Sequence, residues 1–145
     1  MKEYFSGIKK IKYEGSDLTK PLSIKHYNSE ELVMGKTMAE HRRFAVCYWH
    51  TFKGTGLDPF GAGTIVHNFA SASSPMQVAE ETMYAAFEFF TKLGVKFWCF
   101  HDRDIAPEGK TFTESCKNLE HIVAIAKKSQ DETGTKLLWG TANLF

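Results

Sequence analysis

The chain has 145 residues, the size of one ordinary domain, and is 43% hydrophobic and 14% aromatic with 12 Phe, so it can bury a sizeable core and is not of the disordered class. Its 18 basic and 17 acidic residues leave a formal charge of +1, and no basic run or stripe suggests nucleic acid or a membrane surface as a partner. No apolar stretch approaches the roughly 18 residues needed to span a bilayer, the N-terminus opens no apolar signal segment, and Cys47, Cys99 and Cys116 fit no zinc spacing and are expected to be buried thiols in a reducing cytosol.

Residues 1–27 are mixed and turn-rich, with a weak alternation at Ile8–Tyr13 that predicts a short strand at most. They are expected to form an N-terminal arm over a larger body. Asn28 with Glu31 three residues on fits a capping box, which predicts a helix from Asn28 to about Arg43. Leu32, Val33, Met38 and His41 would form its inner stripe, and Gly35 is its weak point. Phe44-Ala45-Val46-Cys47-Tyr48-Trp49 is a continuous apolar run, which suits a strand buried on both faces. Residues 50–74 follow as a long loop containing Gly54, Gly56, Gly61 and Gly63. Loops of this length are usually functional or clamp a partner.

Ser74 is then a helix cap, Pro75 the first helical residue and Gln77 the third. Met76, Ala79, Met83, Ala86, Phe87 and Phe90 keep a helical stripe, and Gly94 stops it. Val95–Phe100 predicts a second strand, followed at once by His101-Asp102-Arg103-Asp104. A third helix starts at Thr111 or Thr113, with Thr111 and Glu114 as another capping box, a stripe of Leu119, Ile122, Val123 and Ala126, and Gly134 as its stop. Lys136–Gly140 predicts a third strand before Asn143-Leu144-Phe145. One helix between successive strands predicts βαβ units and a parallel sheet. Three strands apolar on both faces leave much surface to cover, so a longer α/β protein is expected; a (β/α)8 barrel needs roughly 250 residues.

Active sites of parallel α/β folds lie at the C-terminal ends of the strands. Trp49-His50, His101–Asp104 and Trp139–Phe145 occupy those ends and could face one pocket. An imidazole titrates near neutrality and can move protons at working pH. Asp104 could turn back to hold one ring nitrogen of His101 and leave the other for a substrate oxygen. The same spacing also fits a solvated loop with salt bridges, or a metal site built on His101 with Asp102 or Asp104. Trp49, Trp139, Phe60 and Phe145 could form an apolar wall against the C–H faces of a sugar, or could simply pack in a core. His26, His41, His50, His67 and His121 have no partner pattern and are expected to be surface or core histidines.

The run Phe100-His101-Asp102-Arg103-Asp104-Ile105-Ala106-Pro107-Glu108-Gly109 resembles the signature around the catalytic histidine of xylose isomerases. Ala45–Phe52 with Leu57–Gly61 resembles that family's first strand and following loop, and Leu137–Phe145 its third strand. Tyr4-Phe5 and Pro21-Leu22 match the arm of its longer-chain class. The resemblance spans essentially the whole chain. It implies an arm and helix at 1–43, then the first three βα units of a (β/α)8 TIM barrel at 44–145, with strands near 44–49, 95–100 and 136–140.

The resemblance further implies a cytoplasmic homotetramer using two divalent cations per active site, usually Mg2+, with Mn2+ or Co2+ as substitutes. Its reaction interconverts D-xylose and D-xylulose, and D-glucose and D-fructose, by ring opening followed by a hydride shift between C2 and C1. On that likeness His101 and Asp104 are the catalytic pair, His101 on the ring oxygen or anomeric hydroxyl and Asp104 orienting it. Trp49 and Trp139 line the pocket, Thr141 lies near the sugar hydroxyls, Phe145 adds to the wall, and Phe60 reaches into a neighbouring subunit. The family's metal ligands and assisting lysine lie on later strands, so the chain is expected to be an N-terminal portion that holds no metal and does not isomerise sugars alone. A non-catalytic sugar-binding fragment, or another metal-dependent barrel isomerase or epimerase, remain alternatives.

Overall fold

The computed structural model describes residues 2–67 and 73–143. In chain order it holds β1 (Leu32–Val33), β2 (Lys36–Thr37), α1 (Met38–His41), β3 (Ala45–Cys47), a π-helical turn (Trp49–Lys53), α2 (Pro75–Leu93), β4 (Phe97–His101), α3 (Asp102–Ile105), α4 (Phe112–Thr133) and β5 (Lys136–Thr141).

The two long helices form where the sequence predicts them. Ser74 Oγ accepts the N–H of Gln77 at 3.3 Å, Pro75 opens α2, and Gly94 closes it at φ 81°. Thr111 Oγ1 accepts the N–H of Glu114 at 3.2 Å to start α4, and Gly134 ends it at φ 73°. The second half of that capping box shifts, because Glu114 accepts the N–H of Lys110 rather than that of Thr111.

The helix expected over 28–43 does not form. Met34 and Gly35 both take positive φ, 50° and 81°, and turn the chain into a two-residue hairpin that pairs β1 with β2 antiparallel. Paired left-handed residues favour the tight hairpin turn and break a helix. Helix formation is delayed to Thr37, whose Oγ1 accepts from Glu40 N while Glu40 returns a carboxylate to Thr37 N at 2.7 Å. Asn28 instead caps a local turn, accepting the N–H of Glu30 at 3.1 Å. Leu32 and Val33 therefore lie exposed and form no inner stripe. The weak alternation at Ile8–Tyr13 yields no strand, only an isolated bridge between Tyr13 and Ile24.

β3, β4 and β5 form a parallel sheet in that order. The first strand is shorter than its apolar run: Tyr48 is already helical, at φ −59° and ψ −42°, and leads into the π-helical turn. The helices cover one face. Trp98 of β4 meets Phe87 and Phe90 of α2 at ring distances of 5.5 and 6.0 Å, and Tyr48 and Phe52 join the same cluster. Aromatic rings at such distances add to the apolar burial that holds the layer together. Side chains alternate along a strand, so Cys47, Cys99 and His101 lie on the other face. Cys99 donates its S–H toward Val46 O and Cys47 Sγ, each at 3.7 Å, and burial pushes its thiol up to about 12.

Candidate active site

His101 closes β4, and the single turn of α3 brings Asp104 back over it. Asp104 Oδ2 accepts two hydrogen bonds, from His101 backbone N–H at 3.0 Å and from the ring Nδ1 at 2.9 Å. A carboxylate only accepts, so Nδ1 carries the proton and the tautomer is fixed. Nε2 has no protein hydrogen-bond partner among the described residues. The side chains are 28% and 13% exposed, so the imidazole reaches solvent while the carboxylate behind it is largely covered.

Two indoles flank that imidazole. The Trp49 ring lies 4.4 Å from the His101 ring, Trp139 lies 5.9 Å from it, and the two indoles are 5.5 Å apart. The three rings come from three different elements: Trp49 from the π-helical turn after β3, His101 from the end of β4, and Trp139 from β5. Thr141 is the register partner of His101 across β4 and β5. The structure thus gathers His101, Asp104, Trp49, Trp139 and Thr141 at one end of the sheet. Phe60 is not part of this group. It is 97% exposed, in a loop where Asp58 accepts its N–H at 2.7 Å. Phe145 lies outside the described residues.

Several residues around the site take roles that the sequence alone does not assign to them. Asp102 Oδ1 accepts the N–H of Asn143 at 2.8 Å, beyond the end of β5, as well as the N–H of Arg103 at 2.8 Å. Tyr48 is wholly buried, and its hydroxyl has no partner among the described residues. Burial raises its pKa strongly, and the charge of Asp104 pushes the same way. Lys53 closes the π-helical turn; its shielding from water lowers its pKa, while Asp104 opposes that shift. In sequence Asp102 is legible only as a possible metal ligand; its bond to Asn143 is not, because the partner is 41 residues away.

The solvated-loop reading survives in part, because Arg103 pairs with Glu108 at the surface. Among the described residues no group of three or more His, Cys, Asp or Glu side chains converges as a cation needs, so His101 with Asp102 or Asp104 finds no third ligand there. Among the remaining histidines, His41 and His67 bond backbone carbonyls and His121 pairs with Glu80, as expected of structural or surface groups.

No family model matches the chain. Over all 145 residues it is 53% identical to a xylose isomerase of Mannheimia succiniciproducens and 52% identical to one of Actinobacillus pleuropneumoniae serotype 5b. Over 144 residues it is 56% identical to "Xylose isomerase 2" of Xanthomonas campestris pv. campestris. The chain spans about a third of the length of these curated relatives, 33%, 33% and 32% respectively.

Proposed function

We propose that this chain supplies the ring-opening half of a xylose isomerase active site, working within a longer protein that interconverts D-xylose and D-xylulose, and D-glucose and D-fructose. The observation that carries the reading is the Asp104-fixed imidazole of His101 between Trp49 and Trp139 at the C-terminal ends of adjacent parallel strands. That is where parallel α/β enzymes hold their chemistry. The chain's 53% identity over 145 residues to one xylose isomerase and 56% over 144 residues to another supports that reaction.

Opening a cyclic sugar breaks C1–O5, forms the C1 carbonyl and moves one proton from the anomeric hydroxyl to the ring oxygen. Nε2 of His101 takes the first proton and returns it to O5, so the imidazole ends as it began. Asp104 keeps Nδ1 protonated throughout and stabilises the imidazolium between the two transfers. The indoles present flat apolar faces to the sugar C–H groups and exclude water. Thr141 lies close enough to the histidine to meet a sugar hydroxyl. The hydride shift that follows is not carried by these residues. The two divalent cations implied by the likeness, Mg2+ foremost, belong in this reading to the rest of the longer protein.

The same reading extends to architecture. Sequential neighbours β3, β4 and β5, all parallel and alternating with helices, fit the first three units of a (β/α)8 barrel over 44–145, with 1–43 as arm. Phe60, almost fully exposed on its loop, suits insertion into a neighbouring subunit of a homotetramer. No helix among the described residues is long and apolar enough to cross a membrane; the cytoplasmic location in this reading rests on the likeness to xylose isomerases alone.

The test compares substrates. In the full-length protein with Mg2+, His101→Asn should lower turnover of the cyclic sugar by about a hundredfold, within the range for removing a general acid–base. Turnover of an open-chain analogue should fall far less. Equal losses on both would refute the ring-opening role.

A further inference from the structure

β5 carries Trp139 and Thr141, and β4 is its strand neighbour among the described residues. Where Trp139 stands relative to His101 depends on how β5 is tied to β4. Three features act on that tie.

The first is a register shift. Trp98 pairs with Leu137, but Cys99 pairs with Trp139, so Leu138 is skipped. Because side chains alternate, the skip moves Trp139 to the face that holds Cys99 and His101. Without it Trp139 would point to the helix layer. The second is Gly140. A Cβ there would come within 2.8 Å of Phe100 Cζ, so the missing side chain lets β5 lie close against β4.

The third lies past the last ladder pair. His101 pairs with Thr141. One residue on from His101, Asp102 Oδ1 accepts the N–H of Asn143, two residues on from Thr141. The same oxygen accepts the N–H of Arg103 at the start of α3. Bonds to an ionised acceptor are the stronger kind.

We propose that Asp102 is a positioning residue of the active site, whose carboxylate clasps the end of β5 to the start of α3 and so holds Trp139 and Thr141 against His101. One short turn then does two separate jobs. Asp104 orients the imidazole, and Asp102 orients the strand beside it. The consequence for sugar binding rests on the function proposed above; the clasp itself does not.

The test uses Asp102→Ala and Asp102→Asn in the full-length protein, with two readouts. Hydrogen exchange at the Asn143 amide needs no activity. It should speed up about tenfold or more in the alanine variant and stay near the parent rate in the asparagine variant, which keeps an acceptor oxygen of the same shape. KM for the cyclic sugar should rise about tenfold in the alanine variant with a smaller change in kcat, and asparagine should restore it.

Unchanged exchange at Asn143 in the alanine variant would overturn the clasp. So would an asparagine variant as fast-exchanging as alanine. Faster exchange with an unchanged KM would overturn the positioning role. A parent protein without isomerase activity would instead refute the function reading, and exchange would still judge the clasp.

Discussion

One carboxylate oxygen, Oδ2 of Asp104, accepts from both the backbone and the ring of His101. The backbone bond places the carboxylate and the ring bond then sets the tautomer, so loss of Asp104 costs orientation twice. Asp104→Ala should reduce turnover of the cyclic sugar by at least about tenfold, as expected when a group that orients a general base is removed. Steady-state kinetics with cyclic and open-chain substrates would check it; an unaffected cyclic reaction would count against the orienting role. Tyr48 makes the opposite kind of prediction. Its hydroxyl is buried without a partner among the described residues, and such a group costs about 1–3 kcal/mol. Tyr48→Phe should therefore stabilise the protein by about 1 kcal/mol, read from the denaturant midpoint. A destabilised variant would show that the hydroxyl is satisfied in solution.

Elements succeed where local signals agree and shift where they compete. α2 and α4 each have a polar cap, a buried stripe and a left-handed glycine, and their bounds follow from the sequence, although in α4 Val123 turns outward and Ile125 packs against the core in its stead. At 28–43 two capping signals compete. Asn28 with Glu31 and Thr37 with Glu40 both fit the pattern, and the hairpin at Met34-Gly35 decides for the second. Gly35, the weak point of the predicted helix, is where it fails: with Met34 it takes the left-handed φ that the tight turn needs. Gly134 offers a clean test of a helix stop. It sits at φ 73°, and nothing lies within 4 Å of where a Cβ would be. Gly134→Ala should cost about 1 kcal/mol through backbone strain alone, measurable as a lowered midpoint with an unchanged m-value.

Across the whole molecule the N-terminal arm is tied to α2 by several contacts, among them Lys2 with Glu81, Ile11 N–H with Lys92 O, and a cluster around Glu88. Glu88 accepts the N–H groups of Tyr4 and Phe5 at 2.7 and 3.0 Å and pairs with Lys92 at 2.8 Å, while Lys92 also bonds Phe5 O at 2.6 Å. Burial raises the pKa of Glu88, but Lys92 and the two amides outweigh it and leave the group below its ordinary 4.5. A carboxylate depressed in the folded state stabilises fully above its unfolded pKa, and that stability is lost as pH falls through the folded value. The arm should therefore loosen first on acidification below about pH 4. Amide exchange at Tyr4 and Phe5, corrected for intrinsic rate, would detect it. Glu88→Gln should produce the same loosening at neutral pH.

The amino-acid sequence by itself determined the long helices, the order of the strands and the His101–Asp104 spacing. Each is a local matter: caps, stripes and a turn of three residues act over distances the chain itself sets. Tertiary structure alone decided that Trp49 and Trp139 flank the imidazole, that Leu138 is skipped, and that Asp102 reaches Asn143. Those contacts join segments tens of residues apart, and their geometry depends on how neighbouring strands pair rather than on what either segment prefers alone.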